Sequence, residues 1–247
     1  MLLSQISRPI AYLLALLFSP SLFAQDEAPE MEISEIAANV YLHKSFQDVE
    51  PWGIVSSNGL VVIEDGGAFI VDTPWSESDT EKLVTWIREQ GFYPLGSVST
   101  HSHSDRTAGV SWMNRHSIPT HALDQTNEIL NQEGEETTRY SFEGPRESLA
   151  QGLIEAFYPG RGHTKDNIVI WLPEQKILYG GCFVRSLSSQ DLGYTGEAYV
   201  HEWAASVDRV ILEFPELEIV VPGHGMIGDL SLLQQTKTLA VFASTEL

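Results

Sequence analysis

The sequence predicts an α/β protein built as a four-layer αβ/βα sandwich, two packed sheets with helices on the outer faces. Three observations carry this. β-type runs dominate the middle of each half of the 247-residue chain. Amphipathic helical stretches flank those runs. Six residues with metal-ligand chemistry fall where a strand ends and a loop begins. Periodicity alone supports α/β or α+β; the same strand-then-helix theme in both halves points to two layers of each kind.

Taken in order, residues 1–24 read as a secretory signal peptide, with Arg8 as its charge, an apolar run from Ile10 to Phe18, and cleavage after Ala24. That run is too short for a membrane span, which needs ~20 residues. Residues 25–247 then form one domain. Short strands are expected at Glu32–Ile36 and Val40–His43, followed by a polar turn over Ser45–Gly53 that carries Phe46, Val49 and Trp52. Ile54–Ser57 and Leu60–Ile63 read as strands joined by a hairpin turn at Asn58-Gly59. Gly66-Gly67 turns into a strand over Ala68–Val71, which ends at Asp72-Thr-Pro74. A helix is expected over Ser76–Gln90, capped by Ser76 or Ser78, with Leu83, Trp86 and Ile87 on one face. Pro94–Thr100 is a strand. Arg106–Asn114 and Leu123–Leu130 read as helices, and Leu153–Tyr158, Ile168–Leu172 and Lys176–Tyr179 as strands. A helix over Glu202–Glu213, a strand over Glu218–Val221 and a helix over Leu230–Ala243 capped by Asp229 close the chain.

Charge narrows the partners. The chain has 14 basic and 34 acidic residues, a formal net charge of −20. Nucleic acid and anionic membrane both require basic surface and are excluded for the mature form. The same acidity predicts a monomer. Cys182 is the single cysteine, so an exported protein of this sequence has no internal disulfide.

The chemistry centres on His101-Ser-His103-Ser-Asp105-Arg106, directly after the strand ending at Thr100. Imidazoles and a carboxylate at alternate positions suit a zinc-type divalent ion. Downstream stand His163 in Gly162-His163-Thr164, Cys182 in Gly180-Gly181-Cys182, and His224 in Gly223-His224. Cys182 read alone is a buried apolar cysteine; beside three other soft-metal ligands it reads as a thiolate ligand. His43, His116, His121 and His201 have no matching partners and read as structural or surface residues.

These motifs, with Asp79–Trp86 and Trp171–Phe183, make the chain resemble a metallo-β-lactamase of the first subclass of class B, most like the imipenemase branch, from about Ile36 to Ala243. The resemblance implies an αβ/βα sandwich of two mixed sheets with two zinc ions (Zn2+) per chain. His101, His103 and His163 would hold one ion, and Asp105, Cys182 and His224 the other. It implies an exported, periplasmic enzyme that hydrolyses the β-lactam amide of penicillins, cephalosporins and carbapenems with a zinc-bound hydroxide, and so confers antibiotic resistance. Asp105, His101, His103 and His163 would be catalytic. Arg185, three residues after Cys182, would bind the substrate carboxylate, and Arg106 would support the second ion from behind. Phe46, Val49 and Trp52 would form a flap over the substrate, with core packing the competing reading for Trp52.

Three departures stand out. Ala108-Gly109 replaces a frequent Gly-Gly, Ser102 replaces a frequent aromatic residue, and Asp191 replaces a frequent Asn. Asp191 either points at the substrate, turns outward, or pairs with Arg185. A thioesterase or lactonase of the same fold is disfavoured because Arg106 follows Asp105 where those enzymes have His, and Cys182 stands where they have a bridging Asp. A non-catalytic periplasmic zinc-binding protein would need no Arg185.

Overall fold

The computed structural model describes residues 28–246; the signal peptide over 1–24 lies outside them. Strands β1 (Glu32–Ala37), β2 (Val40–Val49), β3 (Gly53–Glu64) and β4 (Gly67–Val71) form an antiparallel meander. Helix α1 (Glu77–Glu89) leads to β5 (Tyr93–Ser99), α2 (Ser104–Thr107), α3 (Val110–Arg115), β6 (Thr120–Leu123), α4 (Asp124–Glu133) and β7 (Tyr140–Phe142). Strands β5, β6 and β7 add in parallel, so the first sheet is mixed, with order β1-β2-β3-β4-β5-β6-β7. Then come β8 (Arg146–Leu149), β9 (Ile154–Phe157), β10 (Val169–Leu172), β11 (Ile177–Gly181), α5 (Val200–Glu213), β12 (Ile219–Pro222) and α6 (Leu230–Glu246). The second sheet has order β12-β11-β10-β9-β8, with β12 parallel to β11 and the rest antiparallel.

Strand alternation builds the layers. Side chains point to opposite faces with period two, and here both faces are apolar. Leu60, Val62, Phe69 and Val71 of the first sheet pack against Ile170, Leu172, Ile177 and Tyr179 of the second. Their neighbours Val61, Ile63, Ala68 and Ile70 face the other way, against Leu83, Val84 and Ile87 of α1 and Met113 of α3. On the far side Val169, Trp171, Leu178 and Val220 meet Trp203, Val207 and Val210 of α5 and Leu232 and Leu233 of α6. Four layers result, as expected. Each fully buried aliphatic side chain contributes ~1.5–3 kcal/mol relative to exposure.

The helix ends follow from local chemistry. Ser76, and not Ser78, caps α1: its Oγ accepts from Asp79 N at 3.0 Å. Asp229 Oδ1 accepts from Ser231 N at 2.9 Å and caps α6.

Three expectations are corrected. The expected turn over Ser45–Gly53 is strand for most of its length. Strands β2 and β3 pair continuously from Val40↔Val62 to Val49↔Gly53, and the chain reverses at Glu50–Trp52. The expected hairpin at Asn58-Gly59 is therefore the middle of β3. Gly59 is there for close approach: a Cβ on it would lie 2.2 Å from the His43 ring and 2.8 Å from Val71 O. Asn58 is buried, and its Nδ2 donates to Pro222 O at 2.9 Å and Gly225 O at 3.0 Å. The single helix expected over Arg106–Asn114 is split into α2 and α3 at Ala108-Gly109. There Gly109 N donates to Thr73 Oγ1 at 2.9 Å, and a Cβ on Gly109 would meet Thr80 Oγ1 at 2.2 Å. Strands β6, β7 and β8 were not expected; they are three or four residues long, too short to show a period.

Candidate metal centre

Every candidate ligand sits at the end of a strand on one rim of the sandwich. His101 and His103 follow β5, Asp105 is in the first turn of α2, His163 lies between β9 and β10, Cys182 follows β11 and His224 follows β12. Parallel or antiparallel pairing brings these strand ends together although the residues span 124 positions from His101 to His224.

Three imidazoles meet edge to face. Ring centroids are 4.6 Å apart for His101 and His103, 4.9 Å for His101 and His163, and 5.0 Å for His103 and His163. His163 Nε2 faces His103 Nδ1 at 3.2 Å, and His101 Nε2 is buried without a protein partner. Burial, followed by neighbouring imidazoles, lowers the pKa of His101 and His163 well below the usual range, so both are neutral, as ligands must be.

Beside them, Cys182 Sγ lies 3.2 Å from Asp105 Oδ2 and 3.2 Å from His224 Nε2, and His224 Nε2 lies 3.2 Å from Asp105 Oδ2. Burial opposes charge on His224, but Cys182 and Asp105 outweigh it and raise its pKa to about 10. Burial likewise disfavours the Asp105 carboxylate, and Arg106 and His224 reverse this, holding it well below its normal value. His224 Nδ1 bonds to Ser56 O at 2.6 Å, which fixes Nε2 as the atom offered to the site. His101 Nε2 is 3.9 Å from Asp105 Oδ1 and joins the two groups.

The donor set fits zinc. Nitrogens ~2.0–2.1 Å from a tetrahedral zinc are about 3.3 Å apart, close to the 3.2 Å between His163 Nε2 and His103 Nδ1. Among the described residues, the triplet Asp105, Cys182 and His224 converges within 4.8 Å, as do His101 with His163 and Cys182, and His101 with His103 and Asp105. A soft thiolate, imidazoles and a carboxylate suit zinc over magnesium or calcium.

Arg106 is fully buried beneath this centre. Its Nη2 donates to Cys182 Sγ at 3.0 Å and Gly223 O at 3.2 Å and pairs with Asp105 Oδ2 at 2.8 Å. Its Nη1 donates to Asn58 O at 2.6 Å and Tyr179 Oη at 2.8 Å. Asp72, at the end of β4, accepts from Thr100 N at 2.6 Å and Tyr179 Oη at 2.7 Å.

Above the ligands opens a cleft of about 960 Å³, within the usual range for small-molecule sites. Val49 and Trp52 at the tip of the β2–β3 hairpin line it, as do Arg185, Ala108 and Ser102. Phe46 does not line it; it is half-buried further down β2, opposite Ser56. Ala108 has ordinary helical backbone, with φ −54°, so its methyl is carried without strain at the end of α2. Asp191 is exposed and outside the cleft lining. Its Oδ1 accepts from Gly193 N at 2.8 Å, while its main-chain O accepts from Arg185 Nε at 3.2 Å. Of the histidines without a site role, His43 bonds to Asp72 O, His121 to Ser97 O and His116 to Trp112 O, and His201 is exposed.

Sequence reasoning missed Trp75, Tyr194, Glu197 and Asp166. Trp75 lines the cleft with its ring 6.0 Å from His224. Glu197 accepts from His103 Nε2 at 3.0 Å, and Tyr194 stands edge-on to the same ring. Buried Asp166 accepts from Ser102 N, between the two motif histidines, at 2.9 Å. Only Asp166 left a trace in the sequence, three residues after His163.

Fold and ligands together define a metalloprotein of the αβ/βα sandwich class. The metallo-beta-lactamase superfamily model matches residues 52–224. A metallo-beta-lactamase type 2 from Pseudomonas aeruginosa is 41% identical over 226 residues, covering 91% of each chain. One from Bacillus cereus is 36% identical, covering 87% of this chain and 84% of that one. Among solved structures, TMB-1 is 59% identical with a TM-score of 0.86, covering 87% of this chain and 99% of that one. DIM-1 metallo-beta-lactamase exposed to ceftazidime is 55% identical with a TM-score of 0.87, covering 88% and 100%. The chain belongs to the metallo-β-lactamase superfamily. It carries a metal-binding site, typically for zinc, and among the described residues no helix is long and apolar enough to cross a membrane.

Proposed function

We propose that this protein is a zinc-dependent β-lactamase that opens the amide of penicillins, cephalosporins and carbapenems and so confers antibiotic resistance. The observation that carries this is the convergence of six ligand side chains, in two adjoining groups, under an open cleft that also presents Arg185. The relatives named β-lactamase support the substrate class. Two zinc ions bind per chain, one to His101, His103 and His163 and one to Asp105, Cys182 and His224. When bound, zinc supplies Lewis acidity, lowering the pKa of water and polarising the amide carbonyl and leaving nitrogen.

The chain's own residues do the rest. Arg185 grips the substrate carboxylate with a planar, permanently charged guanidinium. Trp52 and Val49 cover the bound ring system and exclude water. Asp105 orients the attacking water. The hydroxyl ends on the carbonyl carbon, the C–N bond breaks, and the nitrogen takes the proton. Arg106 balances the charge of Asp105 and Cys182 from behind without reaching the cleft. The signal peptide sends residues 25–247 to the periplasm as one monomeric domain.

The test is spectrophotometric hydrolysis of a chromogenic cephalosporin and of a carbapenem by zinc-loaded protein, with and without chelator. Turnover of both, lost on chelation, is expected. No turnover of either by the zinc-loaded protein would overturn the proposal.

A further inference from the structure

We propose that Glu197 is a positioning residue for the metal centre: its carboxylate accepts the Nε2 proton of His103 and thereby fixes Nδ1 as the metal-binding nitrogen and strengthens it. This rests on the assignment of His103 as a metal ligand. His103 Nε2 lies 3.0 Å from Glu197 Oε2. An ionised carboxylate only accepts, so Nε2 carries the proton and Nδ1 keeps its lone pair. That nitrogen is the one facing His163 Nε2 at 3.2 Å, in the group where the metal belongs.

The neighbourhood makes the contact specific. Among the described residues, His103 is the one ion-pair partner of Glu197. Tyr194, from the same loop, stands edge-on to the His103 ring with centroids 5.8 Å apart, so the loop holds the imidazole by both its edge and its proton. His224 is fixed differently, through a main-chain carbonyl at Ser56. A carboxylate on the far nitrogen of a ligand imidazole raises its basicity, and loss of such a partner costs 10–100-fold in metal affinity or activity. Glu197 also lines both the main cleft and a smaller cavity of about 280 Å³ beside it, so it forms the partition behind His103. The loop over 182–199 therefore serves both halves of the centre, with Cys182 at its start and Glu197 near its end.

The experiment uses metal-free full-length mature protein, wild type, Glu197→Ala and Glu197→Gln, titrated with zinc against a chromophoric chelator and with cobalt in parallel. The thiolate-to-cobalt absorption reports the Cys182 group, so the two groups are read separately. In the Ala variant the histidine group should bind roughly 10–100-fold more weakly, with the Cys182 absorption unchanged. The Gln variant, which keeps an acceptor oxygen without the charge, should recover part of the loss. Proton NMR of the zinc-loaded wild type should show a protected His103 Nε2 proton that the Ala variant lacks. Wild-type affinity and an intact His103 proton in the Ala variant would overturn the inference while leaving the metal centre in place. Wild-type protein that takes up no metal would instead overturn the reading on which it rests.

Discussion

Arg106 Nη2 lies 3.0 Å from the sulfur of Cys182, a contact that spans 76 residues of sequence and is wholly out of solvent. The same guanidinium pairs with Asp105 and, at 3.4 Å, with Asp72. It thus ties the ends of β4, β11 and β12 to the start of α2. Removing it leaves buried carboxylates without a counter-charge, which costs ~3–5 kcal/mol. Arg106→Met is expected to lose that much stability in urea denaturation of the metal-free protein. Arg106→Lys should recover little, because a point ammonium cannot serve partners on both prongs of the fork. A Lys variant as stable as wild type would show that charge alone suffices.

His43 gives the protein a pH-dependent weakness. Its ring is packed over Gly59 and bonded to Asp72 O, and burial lowers its pKa to about 4. The unfolded chain binds this proton near pH 6.5 and the folded chain near 4, so stability falls as pH drops through that window. The loss approaches about 3 kcal/mol, since each tenfold change in proton affinity is worth ~1.36 kcal/mol. Asp72 acts in the opposite sense: burial raises its pKa to about 6 despite Arg106 and its hydrogen bonds. The folded chain therefore gains a proton first at Asp72, which offsets part of the loss. A comparison isolates His43: Gln in its place should remove the acid-side drop, measured as the wild-type minus variant difference in denaturation free energy between pH 7 and pH 5. A difference that does not change with pH would refute the assignment.

Chelation should abolish hydrolysis and lower the melting temperature, since a ligand at 100 times its Kd adds ~2.7 kcal/mol to stability. Elemental analysis of zinc-replete protein should give two ions per chain. Cys182→Ala should weaken the group with Asp105 and His224 far more than the three-histidine group. Two ions retained with wild-type affinity in that variant would exclude Cys182 as a ligand.

The ligands were legible in the sequence because each follows a strand, and strand ends in a sandwich gather on one rim. The H-x-H-x-D spacing needed no tertiary knowledge. The layers were legible for a related reason: β3, β4, β10 and β11 are apolar on both faces, as strands covered on both sides must be. Asn58-Gly59 was misleading because a pair that favours hairpins locally is used here for a long-range purpose, clearing His43 and holding Pro222 and Gly225. Glu197 and Tyr194 were invisible for the converse reason. Nothing local marks them, and their meaning comes from a loop that returns to His103 from 94 residues downstream.

The hairpin tip separates two roles that the sequence grouped together. Trp52 is 58% exposed and lines the cleft with Val49, whereas Phe46 lies below it. Trp52→Ala should raise KM for bulky β-lactams with little change in folding stability. Phe46→Ala should lower stability and leave KM near wild type. Steady-state kinetics with a penicillin and a carbapenem, alongside thermal melts, distinguish the two. Equal KM effects from both variants would mean that the tip moves as one body with the strand beneath it.

Asp191 and Arg185 make the last case. An inward Asp191 would place a second negative charge near the substrate carboxylate, a like-charge pair costing on the order of 4 kcal/mol at ~4 Å and an effective dielectric of ~20. The observed arrangement avoids this. The Asp191 carboxylate is exposed and turned into its own loop, accepting from Gly193 N, and it is the main-chain O that receives Arg185 Nε. The Arg185 guanidinium lies against Gly193, where a Cβ would come within 2.9 Å of Nη1 and where φ is +71°. Asp191→Asn preserves the side-chain acceptor and the main-chain O, so kcat/KM should stay within about twofold of wild type, a difference of ~0.4 kcal/mol. Arg185→Ala should raise KM more than it lowers kcat, because the carboxylate is held alike in ground and transition states. Gly193→Ala should resemble a weaker Arg185→Ala, since it strains the backbone and displaces the guanidinium together. A rise in kcat/KM for Asp191→Asn would instead mean that the carboxylate swings into the cleft when substrate is bound.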